Sequence, residues 1–231
     1  MPQRYFIFED TDKITGQDAH HIKKVLRMNV GDEIIVCFNS SCFLSEIKAI
    51  GDDVTYEKKQ ELIIPKQLDI TLFQGMPKGN KIETTLKYAT MFGVTHIVLT
   101  DMVRTIIKQV PNQNKMARYQ MIIKESSELS HRSRMPRLSH IKSLDDVDWS
   151  VFDLILLADE EEKNTLLKQV IDRDVHDLKI ALIIGPEGGI ADRERKLLKR
   201  HEAIAISLGK NILTSEIACL YALSVLSALN D

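Results

Sequence analysis

Two runs, Leu154–Ala158 and Ile180–Ile184, contain apolar residues only. A half-buried element would alternate apolar with polar positions. An unbroken run of this length, bounded by polar turns, reads as a strand covered on both faces, as in a parallel sheet. The flanking chain agrees. Leu68–Gln74 and His96–Thr100 read as further strands. Lys78–Phe92 has helical spacing through Ile82, Leu86, Ala89 and Thr90, and Gly93 ends it. Pro111–Leu129 reads as a long, partly polar helix, and Phe152–Ala158 and Lys179–Ile184 as the two buried strands. Asp192 is placed to cap a helix through Arg200, Ala203–Leu208 is a last strand, and Thr214–Leu229 a final amphipathic helix. Strands alternating with helices predict an α/β domain with a mainly parallel sheet over residues 68–231. No apolar run approaches the ~20 residues needed to cross a bilayer.

Residues 1–67 follow a different rhythm. Tyr5–Phe8, Glu33–Phe38, Cys42–Ile50 and Val54–Tyr56 are short β-rich runs. Asn29-Val30-Gly31-Asp32 and Gly51-Asp52-Asp53 punctuate them, which predicts a small barrel or sandwich. The segment His20–Arg27 has helical spacing between Ile22, Val25 and Leu26. Its bases Lys23, Lys24 and Arg27 could face a phosphate backbone or be ordinary surface. Pro65-Lys66-Gln67 is the expected joint between the two domains.

The net charge of −2 is unevenly spread. Residues 101–143 hold nine lysines and arginines, among them Arg104, Lys108, Arg118, Arg132 and Arg134, against three acids. Residues 144–177 hold eleven acids against three bases. The first block can bind phosphates even though the whole chain is slightly acidic; it can equally be a solvated helix face and loop. The three cysteines (Cys37, Cys42, Cys219) form no CxxC pair and no metal-ligand spacing with histidine. Free thiols in a reducing compartment and no metal are expected. The N-terminus has no basic segment leading into an apolar one, which argues against secretion and for a cytoplasmic location.

In parallel α/β sheets ligands bind beyond the carboxyl ends of strands. Two such ends stand out. Ile184-Gly185-Pro186-Glu187-Gly188-Gly189 runs from a strand into a glycine-rich turn that is neither GxGxxG nor a P-loop. It can admit a ligand or simply connect strand to helix. The second end, Ser207–Glu216, offers main-chain groups and apolar walls from Leu208, Ile212 and Leu213, which suits an adenine ring. Thr214 or Ser215 can cap the last helix. Glu216 falls in that helix's first turn, where a carboxylate also complements the helix dipole.

These stretches resemble the RsmE family of SPOUT-class enzymes. The matching segments are His21–Asp32 (HIKKVLRMNVGD), Gln74–Val94 (QGMPKGNKIETTLKYATMFGV), Arg118–Pro136 (RYQMIIKESSELSHRSRMP), Ile184–Ile190 (IGPEGGI) and Leu208–Ala218 (LGKNILTSEIA), in the family's order. The resemblance implies S-adenosylmethionine-dependent methylation of N3 of a uridine in 16S ribosomal RNA of the small subunit. It also implies an N-terminal PUA-like barrel, a C-terminal domain with a trefoil knot, and a homodimer. Other SPOUT enzymes, acting on ribose 2′-hydroxyls or tRNA, and a non-catalytic RNA-binding relative are the alternatives.

Carried over by position, Gly185, Pro186, Glu187, Gly188, Gly189, Leu208, Gly209, Asn211, Ile212 and Leu213 correspond to the cofactor loops. Lys23, Lys24, Arg27, Arg104, Arg118, Arg132 and Arg134 are the expected RNA-binding residues. Glu216 or Glu187 would serve as base or orienter, and Arg132 or Arg104 as the cation. The sequence departs from the family at Thr214, where arginine is usual, at Ile217 (threonine), at Leu129 (glutamine) and at Tyr119 (tryptophan). The apolar positions Ile217, Leu220, Tyr221, Leu223 and Leu226 of the last helix are open to two readings, a dimer face or intramolecular core.

Overall fold

The structure is a computed structural model and describes residues 2–106, 111–171, 175 and 177–228. Lys108 and Leu229, named above, lie outside the described residues. The chain divides into two compact units: Met1–Lys66 with Ser127–Met135, and Gln67–Ser126 with Pro136–Asp231.

The first unit carries β1 (Gln3–Phe6), β2 (Lys13–Ile14), α1 (Gly16–His20), β3 (Glu33–Phe38), β4 (Ser41–Ile50) and β5 (Val54–Glu61). The strands form one five-stranded sheet in the order β1-β3-β4-β5-β2. Only the β1–β3 pair is parallel. Inward residues Tyr5, Ile14, Ile22, Ile34, Val36, Ile47, Val54 and Tyr56 make the core. Residues Val54–Tyr56 were the expected strand; β5 runs on to Glu61 because its charged second half pairs with β4 while facing solvent. After α1 the segment His21–Leu26 winds as a π-helix, stopped by Arg27 at φ 52°. Ile22 is fully buried, whereas Val25 and Leu26 are exposed, so the helical spacing read from the sequence does not define a buried face there.

The free-thiol expectation is corrected for two cysteines. Asn39 and Ser40 both have positive φ, as a tight two-residue hairpin requires. That turn sets Cys37 opposite Cys42 with their Cα atoms 4.0 Å apart, and the pair is joined as a disulfide. The bond depends on hairpin register, which cysteine spacing alone does not disclose. Cys219 is free and buried.

The second unit carries β6 (Asp69–Gly75), α2 (Lys81–Met91), β7 (His96–Thr100), α3 (Gln113–Leu129), β8 (Arg137–Ile141), β9 (Leu154–Ala158), α4 (Leu167–Val170), β10 (Lys179–Ile184), α5 (Asp192–Arg200), β11 (Ile204–Ile206) and α6 (Ser215–Ser227). The last residues of α3, from Ser127, are counted with the first unit. All pairs of the six-stranded sheet, ordered β11-β9-β10-β6-β7-β8, are parallel. On one face Phe73, Val98, Ile155, Leu157 and Ile183 pack with Trp149 and Leu198. α2 and α6 pack together, burying Ile82, Leu86 and Ala89 with Cys219, Leu223 and Leu226.

Several boundaries differ from expectation for local reasons. β8 was not foreseen because it is an edge strand of mixed polarity, RLSHI, rather than an apolar run. Ala191, not Asp192, precedes α5 as its cap residue, and its N–H donates to Glu194 Oε2 at 2.9 Å. β11 is short because its pairing with β9 ends at Ile206 and Ser207 bridges to Leu166 instead. Of the α6 face, Leu223 and Leu226 are core, Ile217 and Tyr221 are each 46% exposed, and Leu220 is half-buried.

Candidate functional site

β9, β10 and β11 end side by side, and a cavity of about 450 Å³ opens beyond them. That size falls within the roughly 300–1,000 Å³ of small-molecule sites. Gly185, Pro186, Glu187, Gly188 and Gly189 line one side and Leu208, Gly209, Asn211, Ile212 and Leu213 another. The third side, Ala158, Asp159, Glu160, Glu162 and Lys163, was missed at the sequence level. Its signal was available: the acidic run Asp159–Glu162 directly follows an apolar strand.

The turn after β10 is shaped by close approach. A Cβ on Gly75, at the end of β6, would lie 2.6 Å from the Pro186 ring. Gly189 has φ +72°, and a Cβ there would run into the Glu160 carboxylate. The turn is then pinned from below. Ser215 Oγ donates to the Gly185 carbonyl at 2.5 Å and accepts from Gln74 Nε2 at 2.8 Å. Gln74 is fully buried and also donates to Gly75 O at 2.9 Å. The expected cap role thus falls to Thr214 by position, while the Ser215 hydroxyl ties the two cavity loops together. Thr214 itself lines the cavity.

The charged groups are held firmly. Arg195 grips Asp159 with two hydrogen bonds of 2.7 and 2.8 Å. Burial pushes the Asp159 carboxyl up, but the Arg195 guanidinium, the Glu161 N–H and the charge of Lys163 together hold the group below its ordinary range. For Glu187 burial again pushes up. Backbone N–H groups of Glu187 and Lys78, together with the Lys81 ammonium, hold it lower. Lys78 N–H donates to both Glu187 oxygens, at 3.0 and 3.3 Å. Lys81 Nζ lies 3.4 Å from Glu187 Oε1 and 3.6 Å from Glu216 Oε1. Neither Gln74 nor Lys81 was singled out in the sequence, although both fall inside the matching stretch Gln74–Val94.

Glu216 is in the first turn of α6 as expected, beside Lys81 rather than among the cavity-lining residues. Its Oε2 is buried without a hydrogen-bond partner among the described residues. Arg104 is exposed and donates from Nη1 to Gly188 O at 3.1 Å, so it braces the glycine turn from outside. The other basic candidates divide. Lys24, Arg27 and Arg134 are exposed. Lys23 Nζ donates to the carbonyls of Gly51 and Asp52, at 2.8 and 2.5 Å. Arg118 pairs with Glu83 at 2.8 Å. Arg132 belongs to the first unit and is buried there, and burial lowers its guanidinium to about 10. Among the described residues no group of three metal-ligating side chains is present, and no helix is long and apolar enough to cross a membrane.

Comparison with known proteins is consistent along the whole chain. Residues 65–227 match the RNA methyltransferase domain family and residues 14–53 the RNA methyltransferase PUA domain family. The ribosomal RNA small subunit methyltransferase E of Bacillus subtilis is 30% identical, over 97% of this chain and 96% of its own. The Rickettsia conorii protein of the same name is also 30% identical, over 89% and 84%. Among solved structures, a Legionella pneumophila chain holding bound S-adenosylmethionine superposes with TM-score 0.83 at 25% identity, covering 99% of this chain and 98% of that one. The methyltransferase E of Neisseria gonorrhoeae has the same fold, with TM-score 0.84 at 23% identity over 99% of this chain and 98% of its own. On the extent of the domain match and the full-length likeness to the Bacillus subtilis protein, the chain belongs to the ribosomal RNA small subunit methyltransferase E family.

Proposed function

We propose that the protein methylates N3 of a uridine in the 16S RNA of the small ribosomal subunit, using S-adenosylmethionine, in the cytoplasm and as a homodimer. The observation that carries the reading is the cavity between the Gly185–Gly189 turn and the Leu208–Leu213 loop. The residues present fit the methyl donor. Close backbone approach at Gly189 and the 86% exposed side chain of Ile212 offer main-chain groups and an apolar wall to an adenosyl group. The carboxylates Glu160 and Glu162 suit the positive charges of a sulfonium and an amine, while Asp159 is held by Arg195. The same reading includes a domain division at 1–67 and 68–231, with Ser127–Met135 returning to the first unit, and a trefoil-knotted C-terminal domain.

When bound, S-adenosylmethionine supplies an electrophilic methyl whose bonding pair leaves with sulfur. The remaining work belongs to the chain. Uracil N3 carries a proton and is a poor nucleophile until that proton is removed. Glu216, with Oε1 beside Lys81, accepts it when Oε2, which is buried and unpartnered among the described residues, turns toward the base. Glu187, with both oxygens engaged, orients the turn. Arg104, already hydrogen-bonded to that turn from the loop after β7, offsets negative charge developing on the uracil carbonyls. Gln74 and Ser215 keep the two loops in register, so that donor and base meet in one geometry. Lys24, Arg27 and Arg134 hold the RNA backbone, with Lys23, Arg118 and Arg132 joining where they exchange their present partners.

Methylation of small-subunit particles with labelled donor, followed by nucleoside mass spectrometry, tests the reading: 3-methyluridine is expected, and a 2′-O-methylated nucleoside or no product overturns it. Glu216→Gln is expected to lower the single-turnover rate about 10²–10⁴-fold. Donor affinity by calorimetry should stay nearly unchanged. An unaltered rate removes Glu216 from the reaction.

A further inference from the structure

Lys81 is the first residue of α2, and its ammonium lies between two carboxylates that come from different elements. Glu187 Oε1 is 3.4 Å away on the turn after β10, and Glu216 Oε1 is 3.6 Å away in the first turn of α6. Both separations exceed an ordinary N–H···O bond, so the link is chiefly one of charge. The side chains of Glu187 and Glu216 are only 24% and 16% exposed. An ammonium standing within 4 Å of both offsets their mutual repulsion. Glu187 also has the Lys78 backbone N–H on both oxygens, whereas Glu216 Oε2 is buried without a hydrogen-bond partner among the described residues.

The other titratable groups on the packed elements do not replace Lys81. Glu83, two residues along α2, is taken up by Arg118. Arg104, on the loop after β7, is directed to the Gly188 carbonyl. Lys78 meets Glu187 through its backbone, and Cys219 of α6 is wholly buried, which pushes its thiol up and keeps it neutral.

We propose that Lys81 is a positioning residue for methyl transfer: it holds Glu187 and Glu216 together as carboxylates and leaves Glu216 Oε2 available to receive the N3 proton. This rests on the proposed uracil-N3 reaction. Lys81 touches neither the base nor the donor. It acts through the two glutamates, and a compact ammonium on a flexible stem can lie at comparable distances from both.

The test follows single-turnover methylation against pH for the wild type, Lys81→Gln and Lys81→Arg, with donor affinity measured by calorimetry. For Lys81→Gln the acid limb of the rate profile should move up by about one pH unit or more, which lowers the rate about tenfold at a pH on that limb. Activity should recover as pH rises, while donor affinity holds. Lys81→Arg should restore the wild-type profile. A loss of rate in Lys81→Gln with the acid limb unmoved overturns the proposal, because a purely structural role produces that result. If circular dichroism shows Lys81→Gln unfolded, Lys81→Arg decides alone: a wild-type profile supports the charge role and a displaced acid limb overturns it. The wild type separates the two levels of inference. A wild type that makes no 3-methyluridine defeats the proposed reaction, whereas an active wild type with an unmoved Lys81→Gln profile defeats the role of Lys81 only.

Discussion

Gly189 shows how much of the site is decided by single atoms. At φ +72° any L side chain pays about 1–2 kcal/mol for the left-handed conformation, and here the added Cβ also meets the Glu160 carboxylate. Since ~1.4 kcal/mol is tenfold in affinity, Gly189→Ala should weaken S-adenosylmethionine binding at least about tenfold. Calorimetry on the folded variant checks this, and an unchanged dissociation constant would separate the turn from the donor site. At this scale the sequence was legible where chemistry is local. Glycine and proline at 185–189 mark a sharp turn, and Glu216 falls in a helix's first turn by counting. The Ser215 hydroxyl, the buried amide of Gln74 and the ammonium of Lys81 were not legible. Their partners lie between 30 and 141 residues away along the chain, except for the Gln74 bond to Gly75, and only the folded sheet brings them together. Arg132 is the converse case: a base in a basic block reads as surface, and burial shows only in the structure.

Among the elements, the buried strands were the clearest, because an all-apolar run has few other uses. β7 and β3 have the bounds that the sequence suggested, whereas β8 and β2 escaped notice, one being a mixed edge strand and the other two residues long. Helix α6 shows why amphipathic spacing leaves its partner open. Leu223 and Leu226 are spent on the core, while Ile217 and Tyr221 lie on a turn-to-turn line that remains 46% exposed at each position. That line is the contact expected for the proposed homodimer. Ile217→Glu with Tyr221→Glu should convert a dimer to a species near 26.3 kDa by light scattering, with the far-ultraviolet spectrum retained. A wild type already monomeric at assay concentration would rule the contact out.

For the whole molecule, the uneven charge matters more than the net −2. A count of bases overstates the RNA footprint, since Lys23 is bound to carbonyls, Arg118 to Glu83, and Arg132 is buried. With Lys24, Arg27 and Arg134 as the expected phosphate contacts, and a slope of roughly 0.7–0.9 per phosphate neutralised, log affinity for RNA should fall with log salt at a slope of about −2 to −3. Filter binding between low and physiological ionic strength measures it. A flat dependence removes these residues from RNA binding, and a much steeper one means that the paired bases change partners on contact.

The segment Ser127–Met135 returns to the first unit. Its Glu128 accepts the Phe6 N–H at 2.9 Å, and its His131 carbonyl accepts from Arg4 Nη1 at 2.6 Å. Cutting the gene after codon 66 therefore deletes two anchors of the opening strand along with everything downstream. Such a half is not a portable cassette: swapping it between homologues grafts one protein's strand onto another's clasp, and chimeras should succeed only where both pieces of the clasp travel together.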